Sequence, residues 1–136
     1  MSINVTINAI DNSGEISERF EDALLRALER CGAQAEGYAV DLVPVDSSYL
    51  QQSITHIVDP QEKATYIGTN VTYAPYVELG TGKHYPGGRP TPWSYQDSDG
   101  QWHTTSGQEP QPFLKPAVED HTQTYRNILK DEMENA

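Results

Sequence analysis

The chain has 136 residues, of which 36% are hydrophobic, and a formal net charge of −11. That length suits one domain with a modest core, since a chain of this size buries roughly two-thirds of its unfolded surface. The mean hydropathy of −0.65 points to polar loops around that core. Nine unclustered basic residues argue against nucleic-acid binding, because phosphate affinity needs grouped Lys and Arg to release counterions. Cys31 is alone, so no intrachain disulfide is expected. The first residues carry no basic region followed by a long apolar run, so no secretory signal is expected. No segment approaches ~20 consecutive apolar residues, so no membrane span is expected, and the chain reads as made and kept in a cytoplasm or released by lysis.

In residues 2–8, Ile3, Val5 and Ile7 alternate with Asn4, Thr6 and Asn8, the period-two pattern of a strand. Asn12 then stands three residues before Glu15, the spacing of a capping box that opens a helix. The helix is expected over 13–40, with Ile16, Phe20, Leu24, Leu28, Cys31 and Ala35 as its apolar stripe and Cys31 as a buried core residue. Glu15, Glu18, Glu21 and Asp22 crowd its first half, where the helix dipole favours anions. Gly32 reads as a cost of ~1 kcal/mol relative to Ala. Asp46 is expected to cap a short helix through Tyr49–Ser53.

Ser53–Val58 and Ala64–Thr69 are rich in β-formers and flank Asp59-Pro60-Gln61-Glu62-Lys63, which reads as a hairpin. A short helix fits Tyr73–Gly80, with Pro75 in its first turn and Gly80 at a left-handed stop. Residues 81–112 form an extended loop, within which Trp93–Gln96 and Gln101–Thr104 flank a turn at Asp97-Ser98-Asp99-Gly100 and suggest a second hairpin. A final helix begins at Pro116, with Val118, Thr122, Tyr125, Leu129 and Met133 along one face. The fold class is therefore α+β: a small antiparallel β-sheet packed by a long N-terminal helix and a C-terminal helix, with a long loop carrying a β-hairpin.

No motif with a catalytic mechanism appears. His56, His84, His103 and His121 lack the three-to-five spacing of zinc ligands, so no metal is expected. Gly80-Thr81-Gly82-Lys83 fails the phosphate-loop pattern, which needs Ser or Thr where His84 stands. Glu78 and Asp46 are carboxylates that nothing in the sequence brings together, so no acid–base pair, cofactor or catalytic residue is assigned. The two tryptophans and Tyr95 of the second hairpin lack a basic groove beside them and suit packing or a protein contact better than base stacking.

Four segments stand in order along the chain: Pro44-Val45-Asp46-Ser47-Ser48-Tyr49-Leu50-Gln51-Gln52-Ser53-Ile54; Tyr73-Ala74-Pro75-Tyr76-Val77-Glu78-Leu79-Gly80-Thr81-Gly82; Pro92-Trp93-Ser94-Tyr95 with Gly100-Gln101-Trp102-His103-Thr104; and Pro110-Gln111-Pro112-Phe113-Leu114-Lys115-Pro116-Ala117. Together they resemble the neck or tail-component family of long-tailed bacteriophages, over about Pro44 to Ala117. The sequence departs at Ser48, where that family commonly carries Gly. The resemblance implies a non-enzymatic virion protein of the head–tail neck, assembled in the host cytoplasm. It would form a homo-oligomeric ring that completes the tail or joins it to the head. Its expected partners are copies of itself, the head-closing connector, and the tail-tube or terminator proteins, with DNA passing through unbound. The expected contact residues are Trp93, Tyr95, Trp102, His103, Tyr76 and Glu78. A tail-terminator ring is the alternative within that class. A metal-dependent hydrolase using His84 and His103 and a soluble module binding one host protein are the alternatives outside it.

Overall fold

The computed structural model describes residues 14–44 and 48–136. The strand expected over 2–8, the Asn12 cap and the Asp46 cap lie outside them. Five helices and two antiparallel two-stranded sheets make up the described residues, the α+β class expected. No helix among them is long and apolar enough to cross a membrane.

Helix α1 runs Gly14–Leu42, and its buried face carries six small residues, Ala23, Ala27, Cys31, Gly32, Ala35 and Ala39, beside Leu24 and Leu28. Small side chains let neighbours approach the helix backbone closely, and three partners do so: the first hairpin, α4 and α5. Cys31 is buried as expected, and burial pushes its thiol up to about 11. Ile16 corrects the expected stripe, being 41% exposed. The neighbours grip α1 through Lys63–Glu21, Arg26–Glu132 and Arg30–Asp131, so its first turn projects past them.

Helix α2 (Ser48–Ser53) leads into β1 (Thr55–Asp59) and β2 (Ala64–Gly68). Ser48 lies in ordinary helical backbone, so the absence of glycine there carries no strain. The strands pair in register from Thr55 with Gly68 to Asp59 with Ala64. Asp59 Oδ1 accepts from the N–H groups of Gln61 and Glu62, holding the turn. Because opposed residues share a face, His56, Val58, Thr65 and Ile67 form one side and Ile57 and Tyr66 stand on the other, both exposed. The His56 side lies on α1, where the ring bridges Glu29 at 2.6 Å and Glu36 at 3.4 Å.

Helix α3 (Ala74–Leu79) precedes a short 3-10 turn at Gly82–His84. Gly80 has the expected positive φ of 83°, but its ψ of −174° leads the chain out extended. The second hairpin is β3 (Trp93–Gln96) with β4 (Trp102–Thr105). The C-terminal helix is two helices, α4 (Leu114–Glu119) and α5 (Thr122–Glu134). The break at Asp120–His121 shifts the expected stripe: Ala117, Tyr125 and Ile128 are buried, whereas Thr122 is exposed. It also stacks the His121 ring on Tyr38 at 3.5 Å and lets the Tyr125 hydroxyl donate to the Ala117 carbonyl.

Two clusters make the core. One joins Ala39, Val43, Leu50, Ile54, Val71, Ala74, Phe113 and Ala117; the other joins Ala27, Cys31, Ala35, Tyr125 and Ile128, and Ile67 packs against both.

A methyl group at Gly32 would lie 2.5 Å from the buried Thr65 Oγ1 and 2.6 Å from His56 Cδ2. In an open helix Gly→Ala stabilises by about 1 kcal/mol. Here Gly32→Ala is expected to destabilise by about 1–3 kcal/mol through overpacking, read as a lower urea midpoint. A higher midpoint would mean the hairpin can stand off the helix at no cost.

The bonds to Glu29 and, secondarily, Glu36 raise the pKa of His56 from its ordinary 6.5 against the opposing effect of burial. A group whose pKa rises on folding stabilises fully below its unfolded value, and that contribution fades as pH climbs through its folded value. The stability gap between wild type and His56→Gln is therefore expected to be widest at about pH 6 and to narrow toward about pH 9. Urea midpoints across that range would measure it, and a gap that widens with pH would contradict the bridge.

Candidate interaction lobe

The chain between α3 and α4 is a closed lobe rather than the open loop its composition suggests. Its two ends zip together: Thr81 N–H donates to the Gln108 carbonyl at 3.0 Å, Lys83 N–H to Ser106 at 3.0 Å and Gln111 N–H to Val77 at 2.8 Å. Gln108 N–H also donates to Thr81 Oγ1 at 2.7 Å. Gly82, at φ 60°, sits where a Cβ would fall 2.2 Å from the Ser106 carbonyl oxygen, so any larger residue would force the stem apart.

Glu78 anchors this stem. Its Oε2 accepts from the N–H groups of Phe113 at 2.6 Å and Leu114 at 2.9 Å, and its Oε1 from Lys115 at 2.9 Å. Those are the orphan donors at the start of α4, and a carboxylate also suits the positive end of the helix. Glu78 therefore joins the end of α3 to the start of α4 within its own chain. The carboxylate accepts three hydrogen bonds within its own chain, an internal role that the sequence did not indicate.

The hairpin at the lobe's far end separates the aromatics grouped by the sequence. The register pairs Trp93 with Thr105, Tyr95 with His103, Ser94 with Thr104 and Gln96 with Trp102. Trp93, Tyr95 and His103 thus share one face, and Trp102 points from the other, 70% exposed. Tyr95 stacks on His103 at 5.3 Å, and His103 Nε2 lies 2.6 Å from Asp97 Oδ2. Asp97 also accepts from the Asp99 and Gln101 N–H groups to form the turn. The His103 bond, and then the backbone bond from Gln101, hold its carboxyl below the ordinary range. His103 is thus engaged inside the hairpin, and no group of His, Cys, Asp and Glu among the described residues is arranged to hold a metal.

Trp93 turns back toward the stem, where a Cβ on Gly82 would meet its ring at 2.8 Å. The Arg89 guanidinium sits 5.8 Å from the Trp93 ring centroid. Tyr76 and Tyr85 meet at 5.0 Å with their rings tilted by 39°. Together with Thr81, Gly82 and Gly88 these residues line an open, mainly apolar cavity of about 240 Å³. Tyr76 and Trp93 were expected at the contact surface; Tyr85 and Arg89 were not. No periodicity links positions 76, 85, 89 and 93, and only closure of the stem brings them together.

Two further surfaces stand open. Ile57 and Tyr66 are a directly opposed pair on the bare face of the first hairpin. They line a cavity of about 410 Å³ that extends along residues 67–70.

Glu78→Gln keeps the shape and removes the charge while turning an N–H donor toward backbone donors. The change is expected to cost about 1–3 kcal/mol. It should also speed hydrogen exchange at the Phe113, Leu114 and Lys115 amides while leaving those of α1 protected. Unchanged exchange at those three amides would remove Glu78 as the anchor.

No protein-family model, curated protein or solved structure matches this chain.

Proposed function

We propose that this chain is a structural protein of the head–tail neck of a long-tailed bacteriophage. In this reading copies close into a ring that completes the tail or joins it to the head, leaving an opening for DNA. One observation carries the reading: the four segments that resemble the neck family, spread from Pro44 to Ala117, converge on one structural unit. Leu50 and Ile54 from the first, Ala74 from the second, and Phe113 and Ala117 from the fourth share a single core cluster. The third forms the hairpin of the lobe that the second and fourth close through Glu78.

The surface is consistent with an assembly role. Trp102 on the second hairpin and the Ile57–Tyr66 pair on the first put large apolar groups in solvent, as interface residues do in a free subunit. Heterologous contacts between such faces close into a ring when the rotation per subunit permits. The net charge of −11 suits a lumen through which DNA must slide without adhering. The activity in this reading is assembly, with no bond made or broken.

Phage lacking the chain is expected to accumulate separate filled heads and tails, seen by electron microscopy of lysates. Wild-type protein supplied in trans should restore joined particles, with antibody label at the neck. Trp102→Asp should fold by circular dichroism, since the side chain is exposed, yet restore roughly tenfold fewer particles or less, the order of loss expected of an aromatic anchor at an interface. Joined, infectious particles in the complete absence of the chain would end the neck assignment.

A further inference from the structure

We propose that residues 2–8 of the chain dock as a third strand on the free edge of β2, antiparallel to it, with Ile3, Val5 and Ile7 turned onto α1. This docking goes beyond the neck reading and holds or fails independently of it.

The first hairpin leaves an edge to fill. Among the described residues β1 and β2 form a two-stranded sheet, so each has one side without a strand partner. A hairpin alone is marginal in water, and a bare edge invites pairing with another chain. Burial is lopsided across the pair. Ala64 and Thr65 of β2 are 1% and 2% exposed, whereas Asp59 and Val58 opposite them are half-buried. The register puts Ala64 on the outer face with Tyr66, while α1 lies against the inner one. The burial of Ala64 therefore calls for a further neighbour at the start of β2.

Residues 2–8 have the composition of that neighbour. Ile3, Val5 and Ile7 alternate with Asn4, Thr6 and Asn8, which gives a strand one branched apolar face and one polar face. The apolar face has partners waiting on α1. Leu24 and Leu28 are 3% and 0% exposed, yet neither belongs to the two core clusters formed among the described residues. Three branched side chains laid over them supply the apolar contacts that buried leucines need. Asn4, Thr6 and Asn8 then continue the outer face of the hairpin beside Tyr66 and stay in water.

The start of α1 sets the direction and the edge. Lys63 at the hairpin turn faces Glu21 at 3.9 Å, Thr65 lies over Gly32, and Ile67 packs on the clusters of Ala35 and Ala39. Strand β2 thus runs along α1 in the helix's own direction, with the turn toward the helix's first residues. Gly14 is about 10 Å from Glu21 along the helix axis. The chain from Asn8 to Gly14 spans up to about 20 Å, enough to pass from the turn end of β2 into the helix. A strand entering α1 from there runs against β2, whereas beside β1 it would be parallel, the slightly weaker ladder. With Thr6 opposite Tyr66 the faces agree, since Val5 then stands opposite Ile67 and Ile7 opposite Thr65.

Paired cysteines locate the segment. Thr6→Cys combined with Tyr66→Cys, or with Gly68→Cys one pair further along, should form a disulfide within the monomer in oxidised glutathione, since opposed residues of adjacent strands lie within disulfide reach. Non-reducing electrophoresis and mass spectrometry read the bond, and the buried Cys31 does not compete for it. Thr6→Cys with Ile57→Cys should stay open, because β1 is one strand further away, about 10 Å. Alternation is tested separately. Val5→Asp should lower the melting temperature by about 5 °C or more, whereas Thr6→Asp should leave it within about 2 °C of wild type.

A covalent dimer from Thr6→Cys with Tyr66→Cys would put the strand on a second copy and overturn docking within the chain. Closure with Ile57→Cys inside the monomer would move the strand to β1 and overturn the edge assigned to it. No bond from any pair overturns the docking, whatever the melts show. A melting temperature unchanged by Val5→Asp, or lowered equally by Thr6→Asp, overturns the inward face of Ile3, Val5 and Ile7. None of these results bears on whether copies form a ring, which the particle assay above decides.

Discussion

The near absence of side chain along one face of α1 is the constraint from which the rest follows. Ala23, Ala27, Cys31, Gly32, Ala35 and Ala39 give the helix a smooth side, so other elements pack almost against its backbone. Gly32 is the tightest place, since the Thr65 hydroxyl and the His56 ring occupy the space a methyl would need. Close approach sets the hairpin's position on the helix, and that position turns Ile57 and Tyr66 outward. The same smooth face accepts Tyr125 and Ile128 from α5. A chain this polar lacks the large apolar residues to fill wide gaps, so it narrows them instead.

Polar pairs then fix what apolar contact leaves free to slide. His56 pins the hairpin between Glu29 and Glu36. Arg26 and Arg30 hold Asp131 and Glu132, and these contacts lower the carboxyl pKa of Glu132, first through Arg26 and then through Arg30. The two arginines are about half exposed, and ion pairs this open to solvent add little to stability. They set register more than they hold the fold. Glu78 differs in kind, because it satisfies backbone donors at a helix start and closes a lobe of some thirty residues at its base. The aromatic cavity follows from that closure: Tyr76, Tyr85, Arg89 and Trp93 are neighbours only because the lobe's two ends are zipped together.

The distribution of charge is as informative as its sum. Acid is concentrated at the start of α1, and the lobe's first half is free of it.

The sequence by itself determined the local elements. Periodicity marked α1 to within two residues at its end, turn residues marked both hairpins, and Pro75 with Gly80 bracketed α3. It determined the burial of Cys31 and the α+β class, because these depend on spacing along the chain. It misread Ile16, whose burial depends on how far along α1 its neighbours extend. It read the C-terminal helix as continuous, since the break at Asp120–His121 is accompanied by stacking of the His121 ring on Tyr38 of α1, which spacing along the chain does not report. It grouped Trp93, Tyr95 and Trp102 by proximity, though the pairing of β3 with β4 sends Trp102 to the opposite face. It saw Gly32 as a loss of helicity and Glu78 as a free carboxylate. Only the tertiary structure decided those two, because an absent side chain and a carboxylate acquire their roles from what is brought against them, and both partners lie more than twenty residues away in the chain.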